Sequence, residues 1–482
     1  MTLNKTNSYL LLILLALFVW AIQLSGYIGR LYISDDLLWY FFTGEELTFP
    51  AQTANLKAEL ASALARVGAE QGFVVRYDLL SRYSANYPFV SASYAAVSSI
   101  LRVLHGEYRF SENLIETLIV TNIIFGIVAM AIVGLAAVTS PKGALTVGFA
   151  VAVALETLAL PLRAASFAPF YETGFLDGVG QALHHLLVPG PEFTMLNTGP
   201  RSLLAGLALA VFFLRWSQRF AGSYWLLLCL IFVHQSTTLL LICTVVGIDL
   251  VLRPRVILKS WVPIAAAILF GVIRERVWHL TGLRTSTALG LIFLVCAGLA
   301  AAYLARRCHF RLPAALDAWR NTVASYPPTV VEPAAFLAVW LITLPFPYFV
   351  NQSVDPYQSY YFWSVLHTRS LGVMHPSLLM GLAAAAFVSL QSLGRLRTAI
   401  VAGVIAGACV QATLREIPFL HSPYARMRAQ LEELERKLGN LSAIGAQDLT
   451  DGTLVYLGMS MAAEGVDDRF KRLLSAAPNP IN

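Results

Sequence analysis

The sequence predicts an all-α polytopic membrane protein, and three observations carry that prediction. Of 482 residues, 57% are hydrophobic and only 13% charged, about half the charged share of an ordinary soluble domain. Apolar runs close to the length of one membrane crossing, about 20 residues, recur along the chain. Lys and Arg flank these runs, as they do in the short cytoplasmic loops of membrane proteins. The net charge is +6, yet the basic residues form no continuous face, which excludes nucleic acid as a partner.

Taken in order, the first run is Tyr9 to Ile28. It is too long for the apolar core of a signal peptide and no small-residue cleavage site follows it, so it reads as a retained first span. Further spans are expected at 114–138, 144–161, 200–215, 256–274, 287–304, 334–350, 371–390 and 396–412. The stretch 222–252 has 31 residues; as one helix it would reach about 46 Å, more than one bilayer core and less than two. Its middle holds its one polar cluster, VHQSTT (233–238). The expectation is two short helices meeting there, with irregular backbone tolerated because it lines a cavity; one long tilted helix is the alternative. That gives about 11 transmembrane helices, one pair short or broken. Cys229, Cys243, Cys296 and Cys409 lie in apolar runs and Cys308 in a basic loop, a distribution without a disulfide framework.

Charge bias favours the pair. With Lys5 inside, TSPKG (139–143), RWSQR (215–219), LRPRVILK (252–259), RRCHFR (306–311) and GRLR (394–397) share one face only if 222–252 enters and returns. Loop 30–113, loop 162–199, loop 351–370 and the tail 413–482 are then extracytoplasmic. The expected organisation is a membrane domain over 1–412 and a small extracytoplasmic segment over 413–482. Stretches 55–67 and 89–104 have the apolar spacing of helices lying on the membrane surface. In the tail, 423–441 reads as a charged amphipathic helix, and 453–462 as a strand or a helix.

Just past the first span the chain reads LYISDDLLWY (31–40), with Asp35 and Asp36 boxed in by aromatic and aliphatic residues. A carboxylate near the bilayer is costly, and two side by side repel, which suits one of them to accept a proton or bind a metal. The same residues, with Ser34, also suit the N-cap of a short interfacial helix; one can cap while the other reacts.

A first span followed at once by an acidic pair, then a long outer loop with surface helices and about ten more spans, resembles the GT-C superfamily of integral-membrane glycosyltransferases. The resemblance covers the layout and the motif Asp35-Asp36, and extends to no particular family within the superfamily. It implies that Asp35 or Asp36 is the catalytic base, taking the proton of an acceptor hydroxyl as that oxygen attacks the anomeric carbon, with inversion. It also implies a polyprenyl-phosphate-linked sugar as donor and a glycan or lipid as acceptor, on the outer side of a bacterial cytoplasmic membrane.

The leaving lipid phosphate gains negative charge, which cations or hydrogen-bond donors must meet. Candidates for donor binding are His184 and His185, Arg201 at the head of an apolar helix, His234 in VHQSTT, and Tyr360, His367 and Arg369 in loop 351–370. Each has a plainer reading: snorkelling for Arg201, an interfacial aromatic belt for loop 351–370, and structural hydrogen bonding for His234 and, similarly placed, His375. A divalent metal on His184, His185, Asp35, Asp36 or Glu172 is left open, but adjacent histidines on a helix point about 100° apart, so no metal ligand is assigned. Walker A, dinucleotide and nucleophile-elbow motifs are missing, which argues against an ATPase, an NAD enzyme and a hydrolase. Two other functions fit the layout less well: a transporter or flippase of a lipid-linked saccharide, and a polysaccharide polymerase or ligase.

Overall fold

A computed structural model describes residues 5–29, 88–106, 110–139, 143–159, 200–278, 314–343 and 356–420, with isolated positions between 41 and 66, at 180 and between 429 and 440. The described residues are helical, joined by short turns, with no strand among them. The all-α expectation therefore holds for them. In chain order the helices are α1 (Lys5–Gly29), α2 (Pro88–His105), α3 (Phe110–Thr139), α4 (Gly143–Ala159), α5 (Pro200–Trp216), α6 (Phe220–Leu252), α7 (Pro254–Lys259), α8 (Trp261–Trp278), α9 (Ala314–Ser325), α10 (Pro328–Thr343), α11 (Pro356–Ser389) and α12 (Arg395–Leu420).

Four stretches are long and apolar enough to cross a membrane: Ser8–Ser25, Asn113–Thr139, Val373–Leu393 and Arg395–Glu416. Their outward faces are greasy. Leu10, Leu14 and Phe18 on α1, Ile127, Leu135 and Val138 on α3, and Val410 and Leu414 on α12 are exposed, as lipid-facing side chains are in a protein without a purely aqueous surround. These helices make the chain a membrane protein.

The chain divides into two compact units, one of Met1–Leu24, Gly126–Asn197 and Arg201–Arg415, the other of Ser25–Phe125, Thr198–Pro200 and Glu416–Asn482. In the second unit α2 buries Val90, Tyr94, Val97 and Leu101, the 4-3-4 spacing of one helical stripe. Tyr94 and Phe89 pack on Phe125. Buried Glu45 accepts hydrogen bonds from Ser98 and Arg102, and Ser98 is also bonded to Asn113. The helix expected at 89–104 is α2, and the described positions within 55–66 and 429–436 are helical as well. The stretch 453–462 lies outside the described residues.

In the first unit the directions of the helices can be read from close approaches. A Cβ on Gly148 would strike the Met380 carbonyl oxygen and sit 2.9 Å from the Ala384 Cβ, while Glu156, two turns further along α4, meets His375. α4 and α11 are therefore antiparallel, and glycine is what lets their backbones touch. Leu24 lies against Gly126 and Leu17 against Gly134, so α1 and α3 are antiparallel too. The first residue of α4, Gly143, lies against Tyr9 near the start of α1. Trp216, at the end of α5, and Thr329, at the start of α10, both meet Gly381 in the second half of α11.

α6 resolves the question posed by its length. Tyr224 Oη donates to Asp249 Oδ2 at 3.0 Å across 25 residues of sequence, a separation of about 37 Å in a straight helix. The chain reverses in between, and the one non-helical residue inside α6 is His234 (φ −159°, ψ 92°). α6 is a helical hairpin whose tip falls in the polar cluster VHQSTT.

Three expected boundaries are corrected. The segment 351–370, expected as a loop, is helical from Pro356: α11 runs unbroken for 34 residues, about 51 Å, because Pro356 starts the helix and no glycine follows before the apolar run. The span expected at 256–274 is two helices, α7 and α8, parted at Ser260. The span expected at 334–350 begins earlier, at Pro328. The span expected at 287–304 lies outside the described residues.

Candidate functional site

The hairpin, the α4–α11 seam and the α1–α3 pair together give the first unit two ends. At one end lie the start of α1, the end of α3 at Thr139, the start of α4 at Gly143, the 215–219 turn, the 252–259 segment and the 390–397 segment. Here α5 stops in a Schellman turn: Arg219 N–H donates to Leu214 O and Gln218 N–H to Arg215 O, both at 2.8 Å, with Gln218 at the left-handed position (φ 66°). Pro254 then opens α7. At the α11–α12 junction, Arg397 Nη1 donates to Phe387 O at 2.7 Å.

This end holds a buried charge cluster that the sequence reading missed. Arg215 grips Asp249 with Nη1 and Nη2 at 2.9 and 2.8 Å and donates to Glu332 Oε1 from Nε and Nη2 at 3.0 and 2.8 Å. Arg253 Nη1 reaches the same two carboxylates at 2.8 and 3.0 Å, and its guanidinium stacks 4.0 Å above the Phe220 ring. Arg215 and Asp249 have no exposed side-chain surface and Glu332 has 1%. Two guanidiniums against two carboxylates leave no net charge, the condition under which such groups survive away from water. The cluster ties α5, both arms of the hairpin and α10 together. Each of its charges is paired, although Glu332 Oε2 has no hydrogen-bond partner among the described residues, so an arriving substrate would have to break a pair to bind. It is a clamp.

The opposite end carries the polar positions without such closure. His234 sits buried at the hairpin tip, 2% exposed, and its carbonyl accepts from Thr238 Oγ1 at 2.9 Å. Deep between α4 and α11, His375 Nδ1 and Glu156 Oε1 are 2.6 Å apart. The two side chains are hydrogen-bonded to each other across the α4–α11 seam. Beside it Gln411 Nε2 donates to Thr157 O at 3.3 Å, and the buried Ser377 hydroxyl has no hydrogen-bond partner among the described residues. Pro376 removes a backbone hydrogen bond from α11 next to His375. Such a pair can pass a proton to or from a neighbouring hydroxyl.

Asp35, Asp36, His184 and His185 lie outside the described residues. Arg201 is in the first turn of α5, which places its backbone about 21 Å along the helix from Arg215, at the hairpin-tip end. Tyr360, His367 and Arg369 are on the first half of α11 rather than on a loop; positions 360 and 367 share a helical stripe, and 369 falls on the other side. The structure thus sets Arg201, His234 and the start of α11 toward the end opposite the clamp, and brings Glu156 to His375. Glu156 was absent from the sequence reading, although it is the one charged residue in α4, and a lone carboxylate in an apolar helix is itself a signal. Among the described residues no three His, Cys, Asp or Glu side chains gather as a metal site would require. Compared with known proteins, the chain matches no family model, no curated protein and no solved structure, so its function rests on its own residues.

Proposed function

We propose that the chain is a membrane glycosyltransferase of the GT-C kind, moving a sugar from a polyprenyl-phosphate carrier to a glycan or lipid acceptor. The observation that carries this reading is the segregation of charge in the first unit. The basic helix ends gather on one side, and the hairpin tip, the head of α5 and the Glu156–His375 pair lie toward the other. By the preference of Lys and Arg for cytoplasmic loops, the basic end faces the cytoplasm and the polar end faces outward in a bacterial inner membrane. Eleven crossings, with the hairpin as a short pair, belong to the same reading. Asp35 or Asp36 is the base that takes the acceptor proton, and the displacement inverts the anomeric carbon. Arg201, His184, His185, His234, Tyr360, His367 and Arg369 are assigned to the donor, the cations meeting its phosphate and the aromatic ring its sugar.

The test is transfer from a radiolabelled polyprenyl-phosphate sugar in reconstituted vesicles. Asp35→Asn or Asp36→Asn abolishes transfer while the protein still inserts and folds, and Arg201→Ala raises the donor concentration needed for half-maximal rate. The second reading, a transporter of a lipid-linked saccharide, draws on the helix broken at His234 and the buried Glu156–His375 pair. It expects the labelled lipid to cross the vesicle membrane without transfer, both Asp variants to keep activity, and Glu156→Gln to stop it. That pattern would overturn the proposal.

A further inference from the structure

Between the second arm of the hairpin, α9 and α10 runs an apolar groove of about 500 Å³, within the range of about 300–1,000 Å³ typical of small-molecule sites. Gly247 and Val251 of α6, Val331 and Ala334 of α10, Trp319 of α9 and Tyr326 just after it line it. The groove exists because its walls are small at the centre: a Cβ on Gly247 would meet nothing within 4 Å. Trp319 and Tyr326 are 54% and 57% exposed, the posture of aromatic side chains at a membrane–water boundary.

One end of the groove is basic. Leu252, the last groove residue on α6, is followed by Arg253, whose guanidinium contacts Glu332, the residue after Val331. The groove thus ends at Arg253. Arg255 and Lys259 follow on α7 and are exposed, and α7, PRVILK, has no acidic residue. The nearby carboxylates, Asp249 and Glu332, are buried and already paired with Arg215 and Arg253, so they do not neutralise Arg255 or Lys259. An apolar slot opening at the membrane boundary beside two exposed cations that no carboxylate pairs among the described residues has the chemistry of one ligand class.

We infer that the groove holds an acyl chain of an anionic phospholipid, with the phosphate headgroup over the exposed Arg255 and Lys259. This is independent of the proposed transfer reaction: it concerns the clamp end of the first unit, and it stands or falls by lipid binding alone. The Arg215 cluster fixes the two helices that form the walls, so the slot is held open rather than made by the lipid. Because each basic side chain near a membrane surface favours anionic lipid by about fivefold, the two exposed cations give a preference of roughly one order of magnitude or more over a zwitterionic lipid of equal chain length.

The experiment reconstitutes the full chain in vesicles of equal parts phosphatidylglycerol and phosphatidylcholine. It is then extracted in mild detergent, and the retained lipid is counted by native mass spectrometry. The wild type retains one phosphatidylglycerol in preference to phosphatidylcholine. Gly247→Leu, which fills the slot where there is room, abolishes retention of either lipid. R255Q/K259Q still retains a lipid, but its preference for phosphatidylglycerol falls about tenfold. Equal retention of the two lipids by the wild type overturns the inference, as does unchanged retention in Gly247→Leu. A lower melting temperature in that variant, with no lipid retained by the wild type, overturns it also, since another part of the chain then fills the slot. If Gly247→Leu fails to fold, the surface variant decides alone: an unchanged lipid preference in R255Q/K259Q removes the headgroup site.

Discussion

Arg215 lies in a segment whose composition, RWSQR, suits an ordinary cytoplasmic turn, yet its side chain is fully buried and gripped by two carboxylates. Those partners are 34 and 117 residues away in sequence, and so is the partner of His375, 219 residues back. Pairings at such distances depend on how helices pack, which composition and periodicity do not encode; what the residues do announce is that a lone acid in an apolar run, Glu156, Asp249 or Glu332, must find a cation or a proton. Removing one member of the clamp leaves the others uncompensated. Arg215→Met is expected to lower the unfolding free energy in detergent by about 3–5 kcal/mol, the usual cost of stripping one partner from a buried ion pair. The double variant R215M/D249L leaves Arg253 against Glu332, a neutral pair, and should cost less than Arg215→Met alone. Denaturant or thermal unfolding followed by intrinsic Trp fluorescence measures both, and a double variant as unstable as the sum of its parts would show that the cluster does not act as a unit.

At the scale of elements, most helices were visible in the sequence because length and apolar content are local properties: α1, α3, α4, α5 and α12 lie over the runs that predict them. Ends were less visible. α11 begins fifteen residues before the span expected at 371–390, since nothing in YQSYYFWSVLHTRS stops a helix and polar composition alone does not distinguish a helix from a loop. The hairpin was legible as a mismatch, too many residues for one crossing and too few for two, with a polar cluster at its centre. Its reversal gives a prediction independent of any activity. In a background with the native cysteines replaced, Arg219→Cys and Arg255→Cys, at the two ends of the hairpin, should react with a membrane-impermeant maleimide from the same side of a sealed vesicle. A single crossing helix would expose them on opposite sides. That outcome contradicts the Tyr224–Asp249 contact.

At the scale of the whole molecule the governing quantity is the distribution of charge between the two ends of the first unit. Desolvating a guanidinium or a carboxylate in hydrocarbon costs several kcal/mol, so unpaired cations collect where water is, and paired ones can sit deeper. The exposed residues Arg255, Lys259 and Arg395 and the neutral clamp follow that division. The candidate site inherits its side from it. If the basic end faces the cytoplasm, the tip of the hairpin and Arg201 face outward. The sign of the asymmetry could be read from the sequence, but the identity of the groups that face outward together could not, because the hairpin alone decides whether the last three basic loops join the first two. α3, 30 residues long and about 45 Å from end to end, is the ruler that fixes the outcome. Arg395→Cys should therefore label with Arg255→Cys from the cytoplasmic side, and His105→Cys, five residues before α3 begins, from the outside only. Labelling of His105→Cys and Arg395→Cys from the same side would mean that α3 does not cross. The outward assignment of the transfer site would then fail, whatever the activity of Asp35 and Asp36 variants.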